Sequence, residues 1–443
     1  MESYNTDDII FALATPWAQS ALSVIRVSGE GCRNLLASCF SRPSALVQAA
    51  NATLVHGYIT DGKEGEKLDE VVAAVYTEGH GYTAEEAVEF TCHGSLPGLT
   101  RILALFKRIG MRSAQGGEFT FRAFLHGRMD LTQAEAVQEL VSSQSERSQA
   151  LALSRLEGGL REQITAAKEE LLTILAAVEV QLDYAEDELD EFVFPRQMLA
   201  QLQHSVSVLA STYSVGKMYG QGARIVLAGA TNAGKSSLFN LLLKQDRSIV
   251  SNVRGTTRDY IEADCSIQGI PIRLYDTAGL RESSDSIENE GIKKTERLIG
   301  QADLVIYLID STDIAHIPPQ DAKTLLVYNK SDLVKPPQGA LAISAQSGEG
   351  VSSLVEAIAS RLTSGFGSTG DEQVIIESER QHLLLEQTAE ALKRALELVD
   401  ADVPLDITAV ELGDAMQNLG ELTGEVTPAD ILHKIFSGFC VGK

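Results

Sequence analysis

Cysteine is scarce and scattered. The five present, Cys32, Cys39, Cys92, Cys265 and Cys440, include no CxxC pair. That excludes a disulfide scaffold or a zinc ribbon and fits a reducing compartment. Long apolar runs are also missing: none reaches the roughly 18–20 residues that a bilayer span needs, so no membrane association is expected. The opening MESYNTDDII has no basic stretch followed by an apolar one, and it is too acidic for a transit peptide. A cytoplasmic location is the expectation. Positive charge is short as well, with 37 Lys and Arg against 61 Asp and Glu and a net charge of −24. Broad binding of a phosphate backbone needs a basic surface. Any work on nucleic acid must therefore use local basic patches or a partner's surface.

What is present is globular: 44% hydrophobic and 22% charged residues at a mean hydropathy of −0.01. A chain of 443 residues predicts about two to four domains. Residues 4–122 mix short apolar runs such as SALSVIRVSG and EVVAAVY with Gly- and Pro-containing turns, which reads as an α+β domain. From about residue 130 the apolar spacing becomes helical. Leu131, Ala134, Val137 and Val141 form one stripe, Leu160, Ile164, Ala167, Leu171, Leu175, Val178 and Leu182 a second, and Met198, Leu202, Val206 and Leu209 a third. The acidic run DYAEDELDEF, 183–192, reads as a solvated loop between helices.

Near residue 222 apolar strands begin to alternate with helical segments (ARIVLAG, IRLYDTAG, DLVIYLID, TLLVYNK, LAISA), the pattern of a doubly wound parallel sheet. The stretch LTSGFGSTGDEQ, 362–373, reads as a linker. Helical stripes return at Leu385, Ala389, Leu392, Leu396 and Val399 and at Leu412, Ala415, Leu419 and Leu422. A last helix is expected to start with Thr427 as N-cap and Pro428 at the first position, and to end at Gly438. The expected fold is multidomain: an α+β domain over 1–124, a discontinuous α-helical domain over 125–215 and 371–443, and an α/β P-loop domain inserted over 216–370.

The inserted part carries the chemistry. GATNAGKS, Gly229 to Ser236, fits GxxxxGK[ST] and falls between a strand and the helix SSLFNLLL. In such a loop backbone amides turn onto phosphates, Lys235 adds a charge and Ser236 offers a hydroxyl to Mg2+. DTAG follows the next strand, bringing Asp276 near the metal and Gly279 to the γ-phosphate. NKSD supplies Asn329, Lys330 and Asp332, whose carboxylate matches the paired donors of guanine. ISA offers the Ala345 amide to the base oxygen. RGTTRD, between the phosphate loop and DTAG, is the expected switch, with Thr257 on Mg2+. The pattern reads as a GTPase.

The expected GTP-binding set takes Asn232, Ala233, Gly234, Lys235, Ser236 and Ser237 from the phosphate loop. Ser251, Asn252, Val253, Arg254, Gly255, Thr256 and Thr257 come from the switch, and Asp276, Thr277, Ala278 and Gly279 from DTAG. Asn329, Lys330, Asp332, Ser344 and Ala345 complete the base side. Leu280 follows DTAG where Ras-type enzymes hold a water-orienting Gln. Catalysis must borrow a carboxylate from Glu282, Asp285, Glu288 or Glu290.

GEFTFRAFLHGRMDLTQAEAV (117–137), NAGKSSLFN, GTTRD, DTAGLRE and the terminal FCVGK together resemble the MnmE (TrmE) family of tRNA modification GTPases, of the TrmE-Era-Septin type, over the whole chain. The resemblance implies a potassium-dependent enzyme, with K+ held by Asn232, Ser251, Val253 and Thr256 in place of an arginine finger. It selects Glu288 as the residue that positions water. It implies an N-terminal domain that forms a homodimer and binds a reduced folate (5-formyl- or 5,10-methylene-tetrahydrofolate) through Arg26, Glu89, Arg128 and Lys443. It also implies a flavin-containing partner, MnmG, in a heterotetramer or larger complex that adds an aminomethyl-type group to the wobble uridine of tRNAs, with folate as one-carbon donor. The acidic chain would then reach tRNA largely through that partner. Two positions depart from the family pattern: PWAQSA (16–21) replaces a glycine-rich loop, and Arg128 replaces a lysine.

Cys440 lies between Gly438 and Gly442 beside that terminal lysine. It is expected to face the folate and act as nucleophile or acid/base, the alternative being a small buried hydrophobe that closes the last helix. The competing functional class is a ribosome-assembly or signalling GTPase of the Era type. Such proteins append a basic RNA-binding domain, whereas the tail here is helical without a basic stripe.

Overall fold

The computed structural model describes residues 6–61, 65–183, 193–245, 261–276, 297–314, 317, 321, 323–363 and 374–442. It divides into two compact units. One holds 1–138, 156–168 and 416–443, the other 139–155 and 169–415.

The first unit is built on a six-stranded sheet in the order β3-β4-β5-β2-β1-β6. Its strands are β1 (Ile10–Leu13), β2 (Ser20–Ser28), β3 (Thr53–Asp61), β4 (Glu66–Tyr76), β5 (Ala87–Gly94) and β6 (Arg112–Ser113). All pairings are antiparallel except β1 with β6. Alternation sets the faces. Ile25, Val27, Val88, Phe90 and Cys92 turn toward helix Leu96–Arg108, which buries Leu99, Ile102, Leu105 and Phe106 against them. Phe11 meets Phe106 edge-on with centroids 5.6 Å apart. Arg26 and Glu89 alternate onto the opposite face, and their Cα positions are direct cross-strand partners.

That opposite face is covered by Ala114 and Phe119 and by the helix Glu118–Leu125. Arg122 of this helix is fully buried, bonded to Asp8 at 2.7 Å, Glu85 at 3.2 Å and the buried Glu118 at 3.3 Å. Arg112 joins the same cluster through Asp8 and Glu118. Two guanidiniums against three carboxylates make an ion network in which each charge has several partners, the condition under which buried ions are tolerated. Although partial burial pushes the Asp8 carboxyl up, Arg112 and Arg122 hold it below the usual range.

The second unit carries a five-stranded sheet ordered β11-β10-β7-β9-β8, from β7 (Ala223–Gly229), β8 (Ile261–Ile267), β9 (Ile270–Asp276), β10 (Leu304–Asp310) and β11 (Thr324–Asn329). The four strands from β11 to β9 are parallel, as the strand–helix alternation predicts; the edge strand β8 turns back antiparallel on β9. Beside this sheet, helix Arg196–Ser211 packs along helix Glu379–Asp400. Arg196 pairs with Asp400 at 2.6 Å, and Tyr213 stacks on His382. Pieces from both expected parts of the helical domain thus meet within this unit.

Three details differ from the periodic reading. Leu199, not Met198, is the buried residue of its stripe, Ile174 replaces Leu175, and Val141 and Leu182 are exposed. A one-residue error in phase rotates a helical position by about 100°, enough to exchange a core site for a flanking one. The last helix spans Ala429–Ser437 with Pro428, not Thr427, at the cap. Pro428 has an extended ψ of 143°, so helical dihedrals begin after it. The Thr427 hydroxyl instead donates to the Glu421 carbonyl at 3.2 Å. Gly438 ends the helix as expected. The acidic run lies outside the described residues apart from Asp183, which ends a helix. Of the linker, only Leu362 and Thr363 are described, at the end of helix Val351–Thr363. No described helix is long and apolar enough to cross a membrane.

Candidate functional site

The phosphate loop joins β7 to helix Lys235–Gln245. Its turn needs left-handed backbone at Asn232 (φ 63°) and Gly234 (φ 97°), conformations open to asparagine and glycine. A Cβ on Gly234 would run into the Asn329 amide. Lys235, largely buried, donates to the Gly229 and Ala230 carbonyls at 3.0 and 2.8 Å, so its ammonium sits over the loop. Ser236 donates to the fully buried Asp276 at 2.7 Å. A hydroxyl beside a carboxylate is a hard-oxygen pair that suits Mg2+.

Asn329 ties the phosphate loop to the loop at Ala345. Its Nδ2 donates to the Ala233 carbonyl at 2.7 Å, and its Oδ1 accepts from the Ala345 amide at 2.9 Å. Lys330, at φ 63°, pairs with Asp310 at 2.5 Å. Burial pushes the Asp310 carboxyl up, but Lys330 and Thr312 outweigh it and hold it below the usual range. Ser344 is buried and accepts from the Ser347 amide, while Asp332 stands exposed. Ser237 is also exposed. Parallel strands thus deliver three loops to one edge of the sheet, where ligands of open α/β sheets bind. Ser251, Asn252, Val253, Arg254, Gly255, Thr256, Thr257, Thr277, Ala278, Gly279 and Glu288 lie outside the described residues. Asp310 is the residue that motif reading missed: nothing in its local sequence marks a partner for Lys330.

A second constellation lies in the first unit. Arg26 Nε donates to Glu89 at 2.7 Å, and its Nη1 donates to the Gly442 carbonyl at 3.1 Å. The guanidinium lies 4.6 Å from the Tyr82 ring centroid and 5.5 Å from that of Phe119. Tyr82 is fixed by a 2.8 Å bond to Thr120, and burial pushes its phenol up. A quarter of the Glu89 side chain is exposed. Arg128 is exposed and bonded to the Gly81 carbonyl next to Tyr82. Lys443 lies outside the described residues. Neither Tyr82 nor Phe119 carried a sequence signal for this pocket, although Phe119 lies in the GEFTFRAF stretch.

The tail reaches this pocket as a short extension of structure. Val441 bridges Gly116 antiparallel, and the Cys440 carbonyl accepts from Gly117. Cys440 is the one exposed thiol of five. Burial pushes the Cys39 and Cys92 thiols up to about 11 and Cys32 further. A role as buried filler does not match the exposure of Cys440. Beside the tail, Phe11, Leu13, Trp17, Leu103, Ala114 and Val441 line a cavity of about 390 Å³.

Residues 131–440 match the MnmE helical domain, and residues 9–128 match the GTP-binding protein TrmE N-terminus. The tRNA modification GTPase MnmE of Treponema denticola is 39% identical over 99% of both chains. That of Borreliella burgdorferi is 40% identical over 99% of both. Among solved structures, the G domain of the T. maritima FeoB iron transporter is 28% identical, covering 31% of this chain and 98% of its own at a TM-score of 0.24. Carrying the phosphate loop and the loops of Asn329 and Ala345 at one sheet edge, and matched over 99% of its length by relatives, this chain belongs to the MnmE family of tRNA modification GTPases.

Proposed function

We propose that the chain is a potassium-activated GTPase that, with a flavin-containing MnmG-type partner, installs an aminomethyl or carboxymethylaminomethyl group at C5 of the wobble uridine of tRNAs, using a folate one-carbon unit. The observation that carries the nucleotide half is Asn329, which bonds the phosphate loop and the Ala345 loop at once. A guanine held by Asp332 and Ala345 would thereby set the position of the phosphates. Ser236, Thr257 and Asp276 would hold Mg2+, and Asn232, Ser251, Val253 and Thr256 would hold K+. These cations supply positive charge for the phosphate oxygens during transfer. Lys235 binds the β/γ oxygens. Glu288 orients the water that Leu280 cannot.

The folate half is supported by the donor and acceptor set around Arg26. A pterin edge offers an N–H beside an amine, and the carboxylate of the part-exposed Glu89 suits that pair. Arg128 and Lys443 suit the ligand's carboxylates. Cys440 would serve one-carbon transfer as nucleophile or acid/base. The domain division at 124, 215 and 370 is part of the same reading, as are the homodimer and tRNA contact made mainly through the partner.

Hydrolysis by the purified chain is expected to run faster in K+ than in Na+, and equal rates would remove the potassium site. Wobble-uridine analysis of tRNA from a strain lacking this chain is expected to show the unmodified base. Cys440→Ser is expected to leave GTP turnover intact and to lower that modification. An Era-type switch would show neither the tRNA change nor calorimetric binding of 5-formyltetrahydrofolate.

A further inference from the structure

We propose that Arg26 is a positioning residue that latches the C-terminal tail, so that tail docking and occupancy of Glu89 are thermodynamically linked. One guanidinium serves two clients in one plane. Nε holds Glu89 at 2.7 Å, and Nη1 holds the Gly442 carbonyl at 3.1 Å. The guanidinium also lies over the rings of Tyr82 and Phe119. A rigid, forked donor set can fix both directions together, which an ammonium cannot.

The tail is shaped for this contact. Gly442 takes φ 97°, and a Cβ there would come within 2.8 Å of the Leu13 carbonyl. Only glycine brings the carbonyl into reach of Arg26 at that spot. The tail is also held by the Gly116–Val441 bridge, by a 3.4 Å bond from Gly117 to the Cys440 carbonyl, and by the buried Phe439, which packs on Phe436. The latch adds a charge-assisted hydrogen bond beyond Cys440, where Phe439 packing no longer holds the chain. Arg26 in turn fixes the carboxylate of Glu89, so a docked tail leaves Glu89 pre-organised as an acceptor. By reciprocity, a ligand that engages Glu89 must tighten the tail by the same factor. This second half rests on the folate reading above; the latch itself does not.

The test is peptide-resolved hydrogen exchange on the full chain, read over residues 114–118 and 438–442. Without ligand, Arg26→Lys is expected to speed exchange there about tenfold, the value of one charge-assisted hydrogen bond, with the β3–β4 pair unchanged. Gly442→Ala, which displaces the carbonyl and leaves the Arg26–Glu89 pair in place, should do the same. Wild-type exchange in both variants overturns the latch. So does an equal acceleration in Lys443→Ala, because the tail would then be held by its terminal charge.

With 5-formyltetrahydrofolate as probe, wild-type tail exchange should slow, and affinity for Gly442→Ala should fall by a matching factor in calorimetry. Equal affinity of the two chains overturns the linkage. Absence of binding to the wild type sinks the folate reading, and the linkage with it, while the latch is still decided by the ligand-free exchange.

Discussion

Around the nucleotide loops, the functional side chains follow directly from parallel strands: Gly234 and Lys235 after β7, Asp276 at the end of β9, Asn329 at the end of β11. Around Arg26 they arrive from β2, β5, the loop at Tyr82, helix Glu118–Leu125 and the far end of the chain, with a sequence separation of 416 between Arg26 and the carbonyl it holds. The first site is made of short segments that follow strand ends. The second is made of side chains that meet only when the whole first unit has folded. One consequence is that damage to the first site should be functional and local, and damage near the second should unfold or loosen a unit.

The largest expected effect sharpens that contrast from the second site's side. Arg122→Leu leaves Asp8, Glu85 and the buried Glu118 with less compensation. Urea denaturation should show a loss of about 3–5 kcal/mol, the cost of removing one partner from a buried ion group. GTP turnover per folded molecule should stay near wild type. A variant as stable as the parent would mean that Arg112 alone satisfies the cluster.

Next comes Gly234→Ala, whose added methyl runs into Asn329 and whose φ of 97° disfavours any side chain. Single-turnover hydrolysis should drop about 10²–10³-fold, the range for losing pre-organised donors, while melting of the first unit is unchanged. If thermal unfolding moved as much as the rate, the claim that this site is local would be broken. Glu288→Ala should slow hydrolysis by about 10²-fold, as for an acid–base group, with GTP affinity nearly kept. Normal turnover would transfer the role to another carboxylate, Glu282 first.

The smallest effect is a matter of pH. Arg112 and Arg122 depress the Asp8 carboxyl in the folded state. Its contribution is therefore present above the unfolded value of about 3.9 and is lost as pH falls through the lower folded value. Stability of the wild type should decline in that acid range more steeply than that of Asp8→Asn. Superimposable acid profiles would show that Asp8 carries little of the network's charge coupling.

Periodicity and motif order were enough for the fold class and the parallel sheet with its phosphate loop. Those signals live within a few residues of one another, in the turn glycines and in the alternation of apolar strands with helices. Register within the longer helices was less legible: Met198 and Leu199 are both apolar, and only packing chose between them. The pairing of Asp310 with Lys330 was not legible at all, because an acidic residue ending a strand carries no mark of its partner.

The sequence by itself determined that a GTPase sheet would form and where its phosphate loop would turn, since glycine, lysine and serine at that spacing dictate a local backbone. Only the tertiary structure decided that Arg26 lies over Tyr82 and Phe119 while holding both Glu89 and Gly442. Those contacts depend on strand pairing and on where a distant chain end comes to rest, and long-range packing leaves no periodic trace in the residues it brings together.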